Sequence, residues 1–264
     1  IQAYWDCGGL NMLFCISPTY ESNSSLQTLP FEKDGIYTDA HNSVGALKLI
    51  TNAIKARHDD YKFEQIYKAA YKKWKKDKAD PKDYAILNRQ HFRKPIDIKW
   101  PQAGIFIDDM THTEIMANTI NNQLSHLCLH HRHLDGAGVS IFMALQTFKS
   151  GMPRVVRANL GLVLLFPTCN MTELEEIHRE ICNNVTFDTF KKLFFEATKD
   201  PGGHDFLLIN KLAEDNTKQF GINFDRVFIV DPVEERRKLL KLDRCHDLPG
   251  RSAGESELCT KREC

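Results

Sequence analysis

Net charge is missing from this sequence: 35 lysines and arginines balance 35 aspartates and glutamates. No global field draws such a chain to nucleic acid or membrane, so contacts of that kind must come from local patches. Long apolar runs are missing too. None approaches the roughly 20 residues of a membrane span, and no membrane partner is expected. The first residues lack a basic segment followed by an apolar one, which gives no expectation of secretion. The eight cysteines form no framework, and Cys15, Cys128 and Cys182 lie inside apolar segments, as reduced intracellular thiols do. An intracellular location is expected: host cytoplasm, nucleus or a viral factory, with association to a virion. No internal repeat is visible.

The remaining composition, 42% hydrophobic and 27% charged, is that of an ordinary globular protein. At 264 residues one domain is expected before two. The chain starts at Ile1 rather than Met, which reads as a processed chain or a piece of a longer reading frame.

Short apolar runs mark buried strands: NMLFCIS at 11–17, AGIFID at 103–108, VSIFMALQ ending at Gln146, LGLVLLFP at 160–167 and FLLIN at 206–210. Between them lie helical patterns at 44–57, 61–78, 171–183 and 186–198, with Asn170 and Thr172 as N-cap candidates. Tyr67, Tyr71 and Trp74 share one face of the 61–78 helix and lysines cover the rest; Asp80-Pro81 is read as its end. Thr111 to Glu114 has capping-box spacing, predicting a helix that runs to about His131. Strand, helix and strand in alternation predict an α/β fold with a mostly parallel sheet flanked by helices. The expected organisation is a core over 1–212 with a lysine-rich helical insertion near 44–82, an extension over 213–244 and a disordered tail over 245–264.

Ligands of open parallel sheets sit beyond the carboxyl ends of the strands. Asp108-Asp109, Gln146 and Ser17-Pro18-Thr19 all fall there. An apolar strand ending in paired acids is the pattern known as Walker B: the first carboxylate holds Mg²⁺, usually through its water, and the second polarises the water attacking a γ-phosphate. The alternative is that either aspartate caps the helix that follows. Gln146 can hold both that water and a γ-phosphate oxygen, or satisfy loop backbone. Arg157 suits a phosphoryl transition state, although lone surface arginines are common.

His126, His130, His131 and His133 invite a metal, with 126 and 130 one helical turn apart as zinc ligands can be, but no glutamate stands between them as in HExxH and no supporting ligand is identified; Cys245, His246, Cys259 and Cys264 match the spacing of no compact zinc site. The lysine-rich helix has two readings, a solvated face and a contact with DNA phosphates, of which the first is favoured.

Taken together, ISPTYESN at 16–23, IFIDDM at 105–110, Arg132-His133, the strand ending in Gln146 and MPRVVRAN at 152–159 resemble one family over residues 5–210. It is the genome-packaging ATPase of large DNA viruses (poxvirus-like), virophages and polinton-type transposons, in the FtsK–HerA branch of P-loop NTPases. The resemblance implies a RecA/FtsK-like sheet, ATP and Mg²⁺ as cofactors, and a hexameric or pentameric homo-oligomeric ring. Double-stranded DNA and capsid proteins are the partners it implies. It makes Asp108 the magnesium residue, Asp109 the water activator, Gln146 the γ-phosphate sensor and Arg157 a finger into a neighbouring subunit. One element is absent: no glycine is followed by lysine and then serine or threonine, so the phosphate loop G-x-x-x-x-G-K-S/T and its strand are not in this sequence. This stretch alone is therefore expected to hydrolyse almost nothing. Other readings are a non-catalytic relic serving as a binding or scaffold protein, and another helicase-like motor.

Overall fold

The computed structural model describes residues 1–119, 121–131, 134, 138–200, 202 and 204–246. The chain folds as two compact units, Ile1–Val156 and Arg157–Cys264.

The first unit opens with helix α1 (Gln2–Asp6) and strand β1 (Met12–Ile16). Gly8 turns the chain between them at a φ of +79°, a left-handed conformation that glycine adopts without strain. All five residues of β1 are buried. Helix α2 (Ser24–Gln27), β2 (Ile36–Tyr37), α3 (Ser43–Trp74), α4 (Pro81–Arg89), β3 (Ala103–Asp108), α5 (Gln123–His130) and β4 (Val139–Ala144) follow. The four strands form one parallel sheet in the order β2-β1-β3-β4. An apolar strand that lacks polar/apolar alternation needs cover on both faces, and parallel pairing with helical crossovers supplies it. Ala46, Leu47, Ile50 and Ile54 recur at helical spacing on α3 and are buried. Gly104 lets β3 lie against its neighbours, because a Cβ there would stand 2.8 Å from Leu13 and 2.9 Å from Leu10. The expected α/β class with a parallel sheet is what the chain adopts.

Three local expectations are corrected. The two helical segments at 44–57 and 61–78 are one 32-residue helix, α3. Asp80-Pro81 does not only stop it but starts α4: Asp80 accepts from the Asp83 N–H, Asp83 accepts from the Asp80 N–H, and Pro81 sits in the first turn, where its missing N–H is no loss. The Thr111–Glu114 capping box is not formed. A single 3₁₀ turn (Glu114–Met116) stands there, and α5 begins only at Gln123. Asn122 accounts for the delay, because its amide donates to the carbonyls of Glu114, Ile115 and Ala117 while its oxygen caps α5 at the Ser125 N–H. Ile120 lies outside the described residues.

Helix α6 (Arg154–Ala158) leads into the second unit, which contains β5 (Leu162–Leu165), α7 (Met171–Ile181), α8 (Phe187–Ala197), β6 (Leu207–Asn210), β7 (Phe220–Ile222), β8 (Arg226–Phe228) and α9 (Pro232–His246). Asn170 caps α7 as read from sequence, accepting from the Glu173 N–H. The strands β5-β6-β7-β8 make a separate sheet, and every pair in it is antiparallel. This corrects the expectation that 160–167 and 206–210 join the parallel sheet. The connection from β5 to β6 holds two helices, α7 and α8. One face of this sheet is buried through Leu207, Ile209, Phe220 and Ile222, whereas Leu162 and Leu164 on β5 are 52% and 41% exposed. Strands β7 and β8, within the 213–244 stretch, belong to the second sheet, and the chain divides into its two units between Val156 and Arg157. The tail read as disordered lies, from residue 247 on, outside the described residues.

Candidate functional site

Three strands of the first unit, β1, β3 and β4, end side by side and run in the same direction. At the end of β1, the backbone N–H of fully buried Ser17 donates to the Tyr37 carbonyl, which fixes the loop that carries Thr19. Ser17 Oγ donates to Asp108 Oδ2 at 3.3 Å, and Thr19 Oγ1 donates to the same oxygen at 3.4 Å. The two hydroxyls lie 3.1 Å apart. Asp108 is the last residue of β3, half-buried, and its carboxylate is thereby aimed across the strand ends.

Asp109 leaves the strand with a φ of +51°. Aspartate is one of the few residues that tolerate this left-handed region. The turn drives the next side chain, Met110, into the core, where it is fully buried; Thr113 Oγ1 then donates to the Met110 carbonyl at 2.6 Å. Asp109 itself stays exposed and accepts from Gln146 Nε2 at 3.4 Å. Gln146 lies two residues past the end of β4, not within the strand as its sequence suggests. Neither aspartate caps a helix: the turn at Glu114 has no side-chain cap, and Asn122 caps α5. The competing explanation for an Asp-Asp pair at this place therefore falls away.

The structure brings two hydrogen-bonded groups, Ser17–Thr19–Asp108 and Asp109–Gln146, to the carboxyl ends of three parallel strands. The hydroxyl link from β1 to Asp108 is the part that a reading of strand ends alone did not supply. Its electrostatic effect reaches inward: burial first, and then the Asp108 charge, push the Cys15 thiol up to about 12. The Asp108 carboxylate with the two hydroxyls offers only oxygen donors, the kind a hard dication such as Mg²⁺ takes while keeping most of its water. The fit to the metal is good at Asp108. A cradle for phosphates is not among these residues, since the glycine-lysine loop is absent from the sequence.

Arg157 belongs to the second unit. Its guanidinium donates twice to Glu180, from Nε to Oε2 at 2.6 Å and from Nη2 to Oε1 at 3.4 Å, and its side chain is only 10% exposed. A role in a neighbouring subunit would require this two-point pair to open.

Among the described residues no group of three His, Cys, Asp or Glu side chains is placed to hold an ion. His131 Nδ1 lies 2.6 Å from the Cys128 carbonyl, a local bond at the end of α5. Arg132, His133, Cys259 and Cys264 lie outside the described residues, as do the side chains of Cys245 and His246. No described helix is long and apolar enough to cross a membrane.

No protein-family model and no curated protein matches the chain. Among solved structures it is similar to the pCW3 conjugation coupling protein TcpA in its monomer form with ATPγS, at 10% identity and a TM-score of 0.40, over 88% of this chain and 56% of that one. The chain thus spans a little over half the length of that protein. It is also similar to the genome packaging NTPase B204 from Sulfolobus turreted icosahedral virus 2 in complex with ATPγS, at 15% identity and a TM-score of 0.34, over 84% of this chain and 99% of that one.

Proposed function

We propose that this chain is the larger part of a P-loop-type ATPase core that moves or packages double-stranded DNA, acting as a homo-oligomeric ring of five or six subunits. The observation that carries the reading is the pair of hydrogen-bonded groups, Ser17–Thr19–Asp108 and Asp109–Gln146, on adjacent residues at the carboxyl ends of a parallel sheet. In such sheets that edge is where a ligand is held.

Asp108 and the Ser17 and Thr19 hydroxyls would hold Mg²⁺, which when bound neutralises phosphate charge. Asp109 takes up the proton of an attacking water, and its exposure at the mouth of the site leaves it reachable. The Gln146 amide donates to Asp109 and so fixes the orientation of the carboxylate; its own oxygen remains available to accept from the same water. Arg157 is paired with Glu180, and its proposed reach into a neighbouring subunit needs that pair to open. The β- and γ-phosphates need backbone amides and a lysine that this sequence does not contain, and β4 has a free edge where a further strand can pair: among the described residues its only strand partner is β3. The phosphate loop is proposed to arrive on that strand from a segment outside this sequence.

The test is turnover by the longer reading frame that carries the loop. Its ATP hydrolysis should fall about 10²–10⁴-fold in Asp109→Asn, the usual worth of a lost general base, with nucleotide affinity nearly unchanged. Turnover that survives the substitution removes Asp109 from this role. A longer frame with no such loop would favour the binding or scaffold reading, which the missing cradle supports.

A further inference from the structure

The two helices α3 and α4 form an arm whose chemistry the proposed nucleotide site does not use. Between residues 61 and 94 there are eleven lysines and arginines against four carboxylates, in a chain whose overall charge is zero. The carboxylates are largely consumed inside the arm. Glu64 is 1% exposed and pairs with Arg93 at 2.6 Å. Asp80 and Asp83 form the capping box of α4, and Asp83 also holds Lys73 at 2.9 Å. Only Asp77 stands at the tip without an ion pair among the described residues. Around it Lys72, Lys75, Lys76, Lys78, Lys82 and Arg89 are all exposed, and none has a carboxylate partner among the described residues. Lys75 instead lies 5.3 Å from the Tyr71 ring centre.

The aromatic side chains of the arm decide what kind of polyanion fits. Tyr67, Tyr71, Trp74 and Phe92 pack on one another and on Leu87, with consecutive ring centres 5.2–6.2 Å apart. These four are spent on holding the two helices together, and the rings left 37% and 47% exposed, Phe63 on α3 and Tyr84 on α4, are one to a helix and not the run of rings on which single-strand binders stack successive bases. A surface of lysines without such a platform reads phosphate, not base. A duplex displays a negative charge about every 1.7 Å of its axis.

We propose that the tip of the α3–α4 arm binds the phosphate backbone of double-stranded DNA without sequence preference. The partner class rests on the motor reading, whereas the surface is located by charge alone. Binding here needs neither ATP nor the aspartates, so the assay is done without nucleotide and its failure leaves the Asp109 experiment untouched.

Anisotropy of a labelled duplex of about 30 base pairs, titrated with the 264-residue chain at several salt concentrations, tests it. Two unrelated duplex sequences should bind alike. The quadruple variant Lys72→Gln, Lys75→Gln, Lys76→Gln, Lys78→Gln should bind at least about tenfold more weakly and lose about 3–4 from the slope of log K against log salt, near 0.9 per contact removed. Asp77→Asn, which keeps a residue tolerant of the +54° φ at that position, should tighten binding a few-fold and guards against a quadruple variant that fails to fold. Unchanged affinity and slope in both variants would overturn the proposal. So would a strong preference for one duplex sequence, for single strands or for anionic phospholipid vesicles.

Discussion

Asp109 combines a charge with a backbone conformation that few residues accept, and the two can be separated. Asparagine shares aspartate's tolerance of positive φ, so Asp109→Asn removes the charge and keeps the turn that buries Met110. Alanine at 109 would strain the turn as well and should lower the melting temperature where asparagine does not; thermal unfolding of the two variants checks this. The cysteines offer a second residue-scale test. Burial pushes Cys15, Cys128 and Cys182 up to about 12, with the Asp108 charge assisting at Cys15, whereas Cys7 and Cys169 are exposed. At pH 8 the three buried thiols should resist alkylation in the native protein while the two exposed ones react, as peptide mass spectrometry will read. Unfolded thiols ionise near their ordinary value and native ones only near 12, so stability falls as pH rises through that window.

At the scale of elements, the loop after α4 is tied down by one buried carboxylate. Glu64 accepts two hydrogen bonds from Arg93 and one from the Ile96 N–H, while the Tyr67 hydroxyl donates to the Arg93 carbonyl at 2.6 Å. Burial pushes the Glu64 carboxyl up, but the hydrogen bonds from Arg93 and Ile96 and the charges of Arg93 and Lys68 outweigh it and hold the group below its ordinary value. Glu64→Gln should destabilise by roughly 2–4 kcal/mol at neutral pH, since Arg93 keeps partial access to water. A depressed carboxylate stabilises above its unfolded pKa, so the gap between variant and wild type should close as pH falls below about 4.3. Urea unfolding at pH 7 and pH 3 measures it. Loss of the cap in Asp80→Ala should cost about 1 kcal/mol.

The same scale shows what could be read from residues alone. Uninterrupted apolar runs at 12–16, 103–108 and 139–144 were legible as strands because burial on both faces leaves no other choice. Their ends placed Asp108, Asp109 and Gln146 on one edge without any knowledge of the fold. The 160–165 and 206–210 runs looked the same, yet pair antiparallel, because the direction in which a strand returns to its neighbour is not written in its own composition. Asp80-Pro81 carries the same letters whether it stops one helix or starts the next. The late start of α5 depends on three carbonyls meeting the Asn122 amide, a tertiary event with no local pattern.

For the molecule as a whole, the division at 156/157 is testable by expressing residues 157–246 alone. Glu235, 2% exposed, accepts from the Thr186 N–H and Thr189 hydroxyl and so locks α9 to the start of α8; Arg157–Glu180 adds a second tie. The piece should show helical circular dichroism and a single cooperative melt. Its open β5 face, with Leu162 and Leu164 in water, should also bind a hydrophobic dye.

The side of β4 that has no strand partner among the described residues carries the last consequence. A strand that docks there would satisfy backbone amides and cover half-buried Ile141, Phe142 and Met143 in the same act that supplies a phosphate cradle. Completion of the enzyme would then be a folding event, and heat resistance would rise in step with catalytic competence. A synthetic peptide that raises the melting point of this chain would thus report assembly of the active centre before any phosphate is split.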